Sequence, residues 1–272
     1  MAAINAGKHV VVEKPFTVSA KEAVALAEAA RSRNVVLSVF HNRRWDGNFL
    51  TVSQLVKEGK LGDVVTFQSA YDRYRPTPKT GWREHAAPGS GVLYDLGSHL
   101  IDQALTLFGG LPSAVHADVR TQRACSGAKV DDSFTIRLYY DDRPELNVLL
   151  TASCVARTPS PRFAVHGMGG SFVKHGIDPQ EARLKTGDLP SSSPSDWGTE
   201  EHVHWGTLET EERKGKAPLE TLPGAWQSFY AGVAAAVRGE GEPPVIAEQA
   251  VDCIRVIEAA LQSSTTRTVV AL

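Results

Sequence analysis

Asp95 and His99 stand four residues apart in the run Asp95-Leu96-Gly97-Ser98-His99-Leu100-Ile101-Asp102, a spacing that puts two side chains on one face of a helix. A carboxylate beside an imidazole orients the ring and stabilises the imidazolium formed when the ring takes a proton. An ordinary pKa near ~6.5 suits histidine to that transfer at neutral pH. The same two residues also read as a helix cap and a core histidine. Two further polar clusters follow apolar runs: Glu13-Lys14-Pro15 after Val10-Val11-Val12, and His41-Asn42-Arg43-Arg44-Trp45 after the run from Val35 to Phe40. With both runs as parallel strands, the clusters share the carboxyl edge where open α/β sheets bind ligands. Either cluster alone reads equally as a strand ending in polar residues. Lys14 brings its own chemistry, because an ammonium polarises the oxygen of a ketone. The Lys14–Pro15 bond is a candidate for cis geometry, which would re-aim the strand end.

These side chains need elements to hold them. Strand, helix, strand over His9 to Glu13, Ser19 to Arg33 and Val35 to Phe40 make a βαβ unit. Ser19 and Glu22 form a capping box at its helix start. Three valines without polar alternation suggest a strand meant to be covered on both faces. Met1 to Gly7 reads as the last turns of a helix closed by Gly7, so the expectation is that the chain begins mid-helix and does not itself supply that cover. A helix over Phe49 to Glu58 follows. Period-two runs then mark an antiparallel sheet with one face on a core: Val64 to Tyr71, Val115 to Arg120, Phe134 to Tyr140, Leu146 to Val155 and Phe163 to Val173. Helices are expected over Leu93 to Phe108, opening after Pro88-Gly89-Ser90-Gly91, and over Ala225 to Arg238 and Ala247 to Leu261. Thr265 to Val270 is expected to return as a strand. The Ser-, Pro-, Glu- and Gly-rich stretch from Gly187 to Lys216 reads as a long surface loop. The fold class is therefore α/β and α+β: a truncated Rossmann-type βαβ remnant over residues 1–45, and a larger domain over 46–272 with a mostly antiparallel sheet covered by helices.

Composition narrows the function. In 272 residues, 29 Lys and Arg face 31 Asp and Glu, a net charge of -2 that offers no footprint for nucleic acid or an anionic membrane. A small neutral or weakly charged ligand fits better. Cys125, Cys154 and Cys253 are too few and too scattered for a disulfide framework or paired zinc ligands and read as reduced core thiols. No stretch approaches the ~20 apolar residues of a spanning helix and no leader stands at Met1, so a cytoplasmic location is expected. His202-Val203-His204 is the closest histidine pair, with no third metal ligand in view, and reads as surface; no metal site is expected.

Two stretches together are specific. Ala6-Gly7-Lys8-His9-Val10-Val11-Val12-Glu13-Lys14-Pro15 and, about 80 residues on, Asp95-Leu96-Gly97-Ser98-His99-Leu100-Ile101-Asp102 resemble the two signatures of the Gfo/Idh/MocA family of sugar and polyol oxidoreductases. The likeness runs over nearly the whole chain. Phe40 to Trp45, Asp72-Arg73-Tyr74-Arg75-Pro76 and Trp82-Arg83-Glu84 further resemble a bacterial subgroup that includes inositol dehydrogenase-like enzymes. The resemblance implies NAD or NADP as cofactor and Lys14, Asp95 and His99 as the catalytic group. His99 would take the substrate hydroxyl proton, Lys14 would hold the reacting oxygen and border the nicotinamide ribose, and Asp95 would position its neighbours. Glu13, Lys14, Pro15, Asn42 and Arg43 are then candidates for cofactor binding, and Trp82, Arg83 and Tyr94 join the catalytic group as candidates for substrate binding. A homodimer or homotetramer through the open sheet face is also implied.

One family feature is missing from these residues. No G-x-G-x-x-G follows a first strand, and neither Gly89-Ser90-Gly91 nor Gly167-Met168-Gly169-Gly170 supplies it. That loop carries the pyrophosphate, and the residue that separates NAD from NADP lies beyond it, so the preference is unreadable. A first strand left with an open edge is expected to make the polypeptide alone poorly soluble or weak in cofactor binding. The competing reading is a non-catalytic relic or sugar-binding module of the same family.

Overall fold

The computed structural model describes residues 1–193, 195–212 and 214–272. A short helix, α1 (Ala2–Asn5), turns through Gly7, whose φ of +69° is the left-handed conformation glycine adopts most readily, into β1 (Val10–Val12). Helix α2 (Ala20–Ser32) carries the chain back to β2 (Leu37–Val39), which pairs with β1 in parallel, Val10 opposite Leu37 and Val12 opposite Val39. The capping box forms as the sequence predicts. Ser19 Oγ accepts from the Glu22 N–H at 3.3 Å, and the Glu22 carboxylate accepts from the Ser19 N–H at 3.1 Å. β2 is buried throughout, whereas in β1 Val10 and Val12 pack on the core and Val11 stays 39 % exposed.

A 3-10 turn (Asn42–Trp45) leads into α3 (Gly47–Lys57) and then β3 (Val64–Asp72). Beyond the loop 73–92 the chain makes a π-type turn, Leu93–Gly97, that runs straight into α4 (Ser98–Phe108). Strands β4 (Ala114–Arg120), β5 (Ser133–Tyr139), β6 (Asn147–Ser153), β7 (Phe163–Gly167) and β8 (Gly170–Lys174) follow. Then come α5 (Gln180–Lys185), β9 (Gly206–Thr210), β10 (Ala217–Leu219), α6 (Gln227–Val237), α7 (Ala247–Thr266) and β11 (Val270–Ala271).

The larger sheet runs β10-β9-β8-β7-β3-β6-β5-β4-β11. Every neighbouring pair is antiparallel except β3 with β6. Its alternation is clear in β5, where Phe134, Ile136 and Leu138 are buried while Thr135 and Arg137 face outward. Full burial of such side chains stabilises the fold by roughly 1.5–3 kcal/mol each. They pack beneath α4 and α7, whose Leu100, Ile101, Ala104, Ile254 and Ile257 belong to the same core. Helix α7 also packs on α2, and Ser38 of β2 bridges Ile246 just before α7 and donates its hydroxyl to the Val245 carbonyl at 2.8 Å. The two sheets thus share one continuous core.

Several expectations change. The run from Phe163 to Val173 is a hairpin, not one strand: Gly167 lies so close to the Leu61 carbonyl that a Cβ would sit 2.1 Å from its oxygen, and the chain reverses at Met168 and Gly169. Gly187 to Lys216 is not all loop, since β9 pairs with β8 inside it and His202–His204 forms a 3-10 turn. Pro194 and Arg213, within that stretch, lie outside the described residues. Helix α7 continues to Thr266, which confines the final strand to two residues. Cys125 is exposed rather than in the core, because it sits on a surface 3-10 turn; Cys154 and Cys253 are buried. Among the described residues no helix is long and apolar enough to cross a membrane, and no three His, Cys, Asp or Glu side chains cluster as metal ligands.

Candidate active site

Lys14 leaves the carboxyl end of β1 through a cis Lys14–Pro15 peptide. Its ammonium donates to the Asp95 carbonyl oxygen at 2.5 Å and to Asp95 Oδ1 at 2.8 Å. Arg83 donates from Nε to the same Oδ1 at 3.0 Å. The Lys14 and Asp95 side chains keep 11 % and 19 % of their surface, so the pair is neither sealed nor freely solvated. Burial lowers the Lys14 pKa most, and Arg83 and Arg43 add to that against the opposing pull of Asp95. For Asp95, burial pushes upward, but Lys14, Arg83 and Arg73 outweigh it and hold the carboxyl below its usual range.

His99 is buried at the first turn of α4. Among the described residues Nδ1 is sealed without a hydrogen-bond partner, whereas Nε2 is neither sealed nor hydrogen-bonded, so Nε2 is the more accessible nitrogen. Burial, then Lys14, Arg43, His41 and Arg162, lower its pKa well below the ordinary value, so the ring is a neutral base at pH 7.

The expected side-by-side contact of Asp95 with His99 is absent. Asp95 belongs to the π-type turn, where the backbone is wider than an α-helix, and its carboxylate meets Lys14 and Arg83 instead. The structure therefore joins β1 to the 93–97 turn through Lys14 and Asp95 and leaves His99 to be oriented from elsewhere.

Two networks that sequence reasoning missed fix this corner. Asp131, just before β5, accepts from the Leu93 N–H at 2.7 Å through its carboxylate and from the Val92 N–H at 3.0 Å through its carbonyl, which anchors the start of the 93–97 turn. Gly91, with φ +91°, lets it in: a Cβ there would lie 1.9 Å from Asp131 Oδ1. Burial raises the Asp131 carboxyl to about 6 despite those backbone donors. Arg123 is the second anchor. It donates to Asp132 from its backbone N and from Nε, both at 2.9 Å, to the Arg75 carbonyl at 3.1 Å, and to Glu84 at 2.9 Å. Glu84 shares a 3-10 turn with Trp82 and Arg83, so Arg123 holds the turn that offers Arg83 to Asp95.

The remaining candidates are placed unevenly. Asn42 is buried at the end of β2 and makes no side-chain hydrogen bond within the described residues, whereas Glu13 is exposed. Pro15 lies half-buried beside Lys14. Arg43 has its charge engaged within the protein: NH1 and NH2 bond Asp46 at 3.2 Å and Glu181 at 2.7 Å, and the guanidinium stacks over Tyr71 and Trp226. Trp82 is 54 % exposed with Arg83 stacked on its ring. Tyr94 lines a groove with Val18, Pro88, Asp131 and Leu261 and donates its hydroxyl to the Val18 carbonyl at 2.7 Å. His202 packs its ring on Trp205 at 4.7 Å.

Comparison with known proteins follows the same division. A family described as "Oxidoreductase family, C-terminal alpha/beta domain" matches residues 53–272, and one described as "Oxidoreductase family, NAD-binding Rossmann fold" matches residues 1–41. The chain is 45 % identical to the uncharacterized oxidoreductase YdgJ of Escherichia coli K12 over its whole length, covering 76 % of that protein. It is 43 % identical to scyllo-inositol 2-dehydrogenase (NADP(+)) IolW of Bacillus subtilis, covering 97 % of this chain and 72 % of that one. Among solved structures, the putative oxidoreductase yvaA from Bacillus subtilis superposes with a TM-score of 0.93 at 41 % identity over all of this chain and 76 % of its own. A putative oxidoreductase from Bacteroides fragilis gives 0.88 at 40 % identity over 99 % of this chain and 76 % of its own.

Proposed function

The chain belongs to the Gfo/Idh/MocA family of oxidoreductases, and from that premise we propose that it interconverts a secondary alcohol and a ketone on a sugar or cyclic polyol, with NAD or NADP as cofactor. The observation that carries the reading is the meeting of Lys14, from the carboxyl end of β1, with Asp95 at the helix that bears His99. Residues 1–45 act as part of the dinucleotide-binding domain and residues 46–272 as the substrate-binding, catalytic and oligomerisation domain. A scyllo-inositol-like cyclic polyol is the first substrate to try, given the name of the relative IolW.

The side chains divide the work. His99 Nε2 takes the hydroxyl proton as the C–H bond gives up hydride; a neutral ring at pH 7 is the form that accepts. The Lys14 ammonium donates a hydrogen bond to the reacting oxygen, stabilising the charge that gathers there. Asp95 keeps Lys14 charged against burial, and Arg83 keeps Asp95 in place. The residues at the strand ends suit a nicotinamide ribose: Lys14 and Asn42 offer hydrogen-bonding groups at the carboxyl edge of two parallel strands. Bound there, the nicotinamide supplies the hydride acceptor. No residues are assigned to the pyrophosphate. The outward face of the nine-stranded sheet, with His116, Asp118, Thr135 and Arg137 exposed, is proposed to join subunits in a dimer or tetramer.

Initial rates with cyclic polyols and sugars, and NAD(P)H fluorescence titration, test this. His99→Gln and Lys14→Met are each expected to lower kcat by ~10²–10⁴, with nicotinamide binding kept in His99→Gln and weakened in Lys14→Met. Full turnover in His99→Gln would remove the base from this reading. Polyol binding without any nicotinamide binding would favour the sugar-binding module.

A further inference from the structure

Three buried imidazole nitrogens beside the proposed site have no hydrogen-bond partner among the described residues: both nitrogens of His41 and Nδ1 of His99. Sealed polar atoms are satisfied in nearly all folded proteins, so three at one place need an explanation. Their surroundings provide one. His99 and Asp102 are three residues apart on α4 and share a face. His41, at the end of β2, sets Nδ1 3.9 Å from Asp102 Oδ1. Asp102 is held rigidly by Arg44, which donates from Nε to Oδ2 at 2.9 Å and from NH2 to Oδ1 at 2.6 Å. His41 and Asp102 are 1 % and 2 % exposed, which shields this face from bulk water.

We infer that Asp102, His41 and His99 form an orienting chain: His41 directs Nδ1–H to Asp102 and accepts, directly or through one buried water, the Nδ1–H of His99. With the 3.9 Å gap between His41 and Asp102 closed to hydrogen-bond length, this arrangement would give each of the three imidazole nitrogens a donor or an acceptor of the right kind. It also fixes the tautomer of His99, leaving the Nε2 lone pair facing the cleft. His41 is a positioning residue, acting through His99, and its catalytic consequence rests on the reading of His99 as the base. The charged groups around the pair fit a neutral chain. Arg44, Lys14 and Asp102 act on His41, and Lys14, Arg43, His41 and Arg162 act on His99. Burial above all, helped by Arg44 and Lys14 against Asp102, brings His41 down to about 4, so it accepts as a neutral ring.

The test reads the tautomer directly, without turnover. Nitrogen-15 spectra of histidine-labelled full chain, with His99 assigned by its loss in His99→Gln, are expected to show His99 protonated on Nδ1 at pH 6 to 8. In His41→Phe, which keeps a ring but offers no acceptor, His99 is expected to move to the Nε2-protonated form or a mixture. His41→Gln, whose amide oxygen can accept, is expected to restore the first form. Turnover should follow: kcat at least ~10-fold lower in His41→Phe with KM little changed, and largely recovered in His41→Gln. An unchanged His99 tautomer in a folded His41→Phe protein overturns the chain, as does a wild-type His99 protonated on Nε2. If the tautomer shifts as expected but His99→Gln keeps full turnover, the orienting chain stands and the assignment of the base falls.

Discussion

Arg123→Met is the perturbation that reports most directly on how the site is assembled. The substitution keeps much of the side-chain stem and removes the guanidinium, which is buried against a fully buried Asp132 and reaches out to Glu84 and the Arg75 carbonyl. Removing one partner of a buried ion pair costs about 3–5 kcal/mol, since the other charge stays desolvated. At roughly 2–4 °C per kcal/mol for a chain of this size, melting should fall by about 10 °C. Glu84→Gln detaches only the Trp82–Glu84 turn, and because Glu84 keeps 17 % of its side-chain surface the cost should be about 1 kcal/mol. The two changes share one contact, so their effects should couple by about 1 kcal/mol or more in a double-mutant cycle. Calorimetry gives the stabilities, and limited proteolysis of the 73–92 loop reports its release. An Arg123→Met protein that melts within about 2 °C of wild type, or a strictly additive cycle, would refute the tether.

Gly91→Ala is expected to cost ~2–4 kcal/mol or prevent folding, because a Cβ at φ +91° would strike the Asp131 carboxylate; chemical denaturation measures it, and a neutral effect would show that Asp131 can retreat. Asp131 itself sets a pH dependence. Its folded pKa of about 6 lies above the ordinary 3.8, so the folded state binds the proton more tightly. Its stabilising contribution is then full below about pH 4, declines as pH rises to about 6 and is flat above, a change of no more than about 3 kcal/mol for this partly exposed group. Asp131→Asn should therefore gain stability relative to wild type between pH 4 and 6 and keep that gain to pH 8. Parallel denaturation curves across that range would contradict the shift.

Local signals in the sequence were readable where they are made by neighbours in the chain. The capping box at Ser19 and Glu22, the three-valine strand and the alternation of β5 each depend on spacing alone, and each formed where expected. The meeting of Lys14 with Asp95 was legible through the family resemblance, since nothing local links residues 81 positions apart. What stayed hidden depends on long-range approach. Asp131 and Arg123 look like ordinary surface charges until folding brings them under the 93–97 turn and the Trp82–Glu84 turn. The π-type turn was invisible because Leu93 to Phe108 has unbroken helical periodicity, and that one widened turn separated Asp95 from His99. β9 escaped notice because Gly206-Thr207-Leu208-Glu209-Thr210 buries only Gly206 and Leu208, too little alternation to stand out from a polar stretch.

Helix α7 packs on β4 of the large sheet and on α2 and α4 at once, and that shared wall limits how the molecule can move. A hinge between the βαβ unit and the large sheet would have to slide α2 over α7, separating Ala23, Ala27 and Ala30 from the core they now complete. Lys14 and His99 are carried by opposite sides of that seam. Their spacing is then a property of the molecule at rest, preset before any ligand arrives.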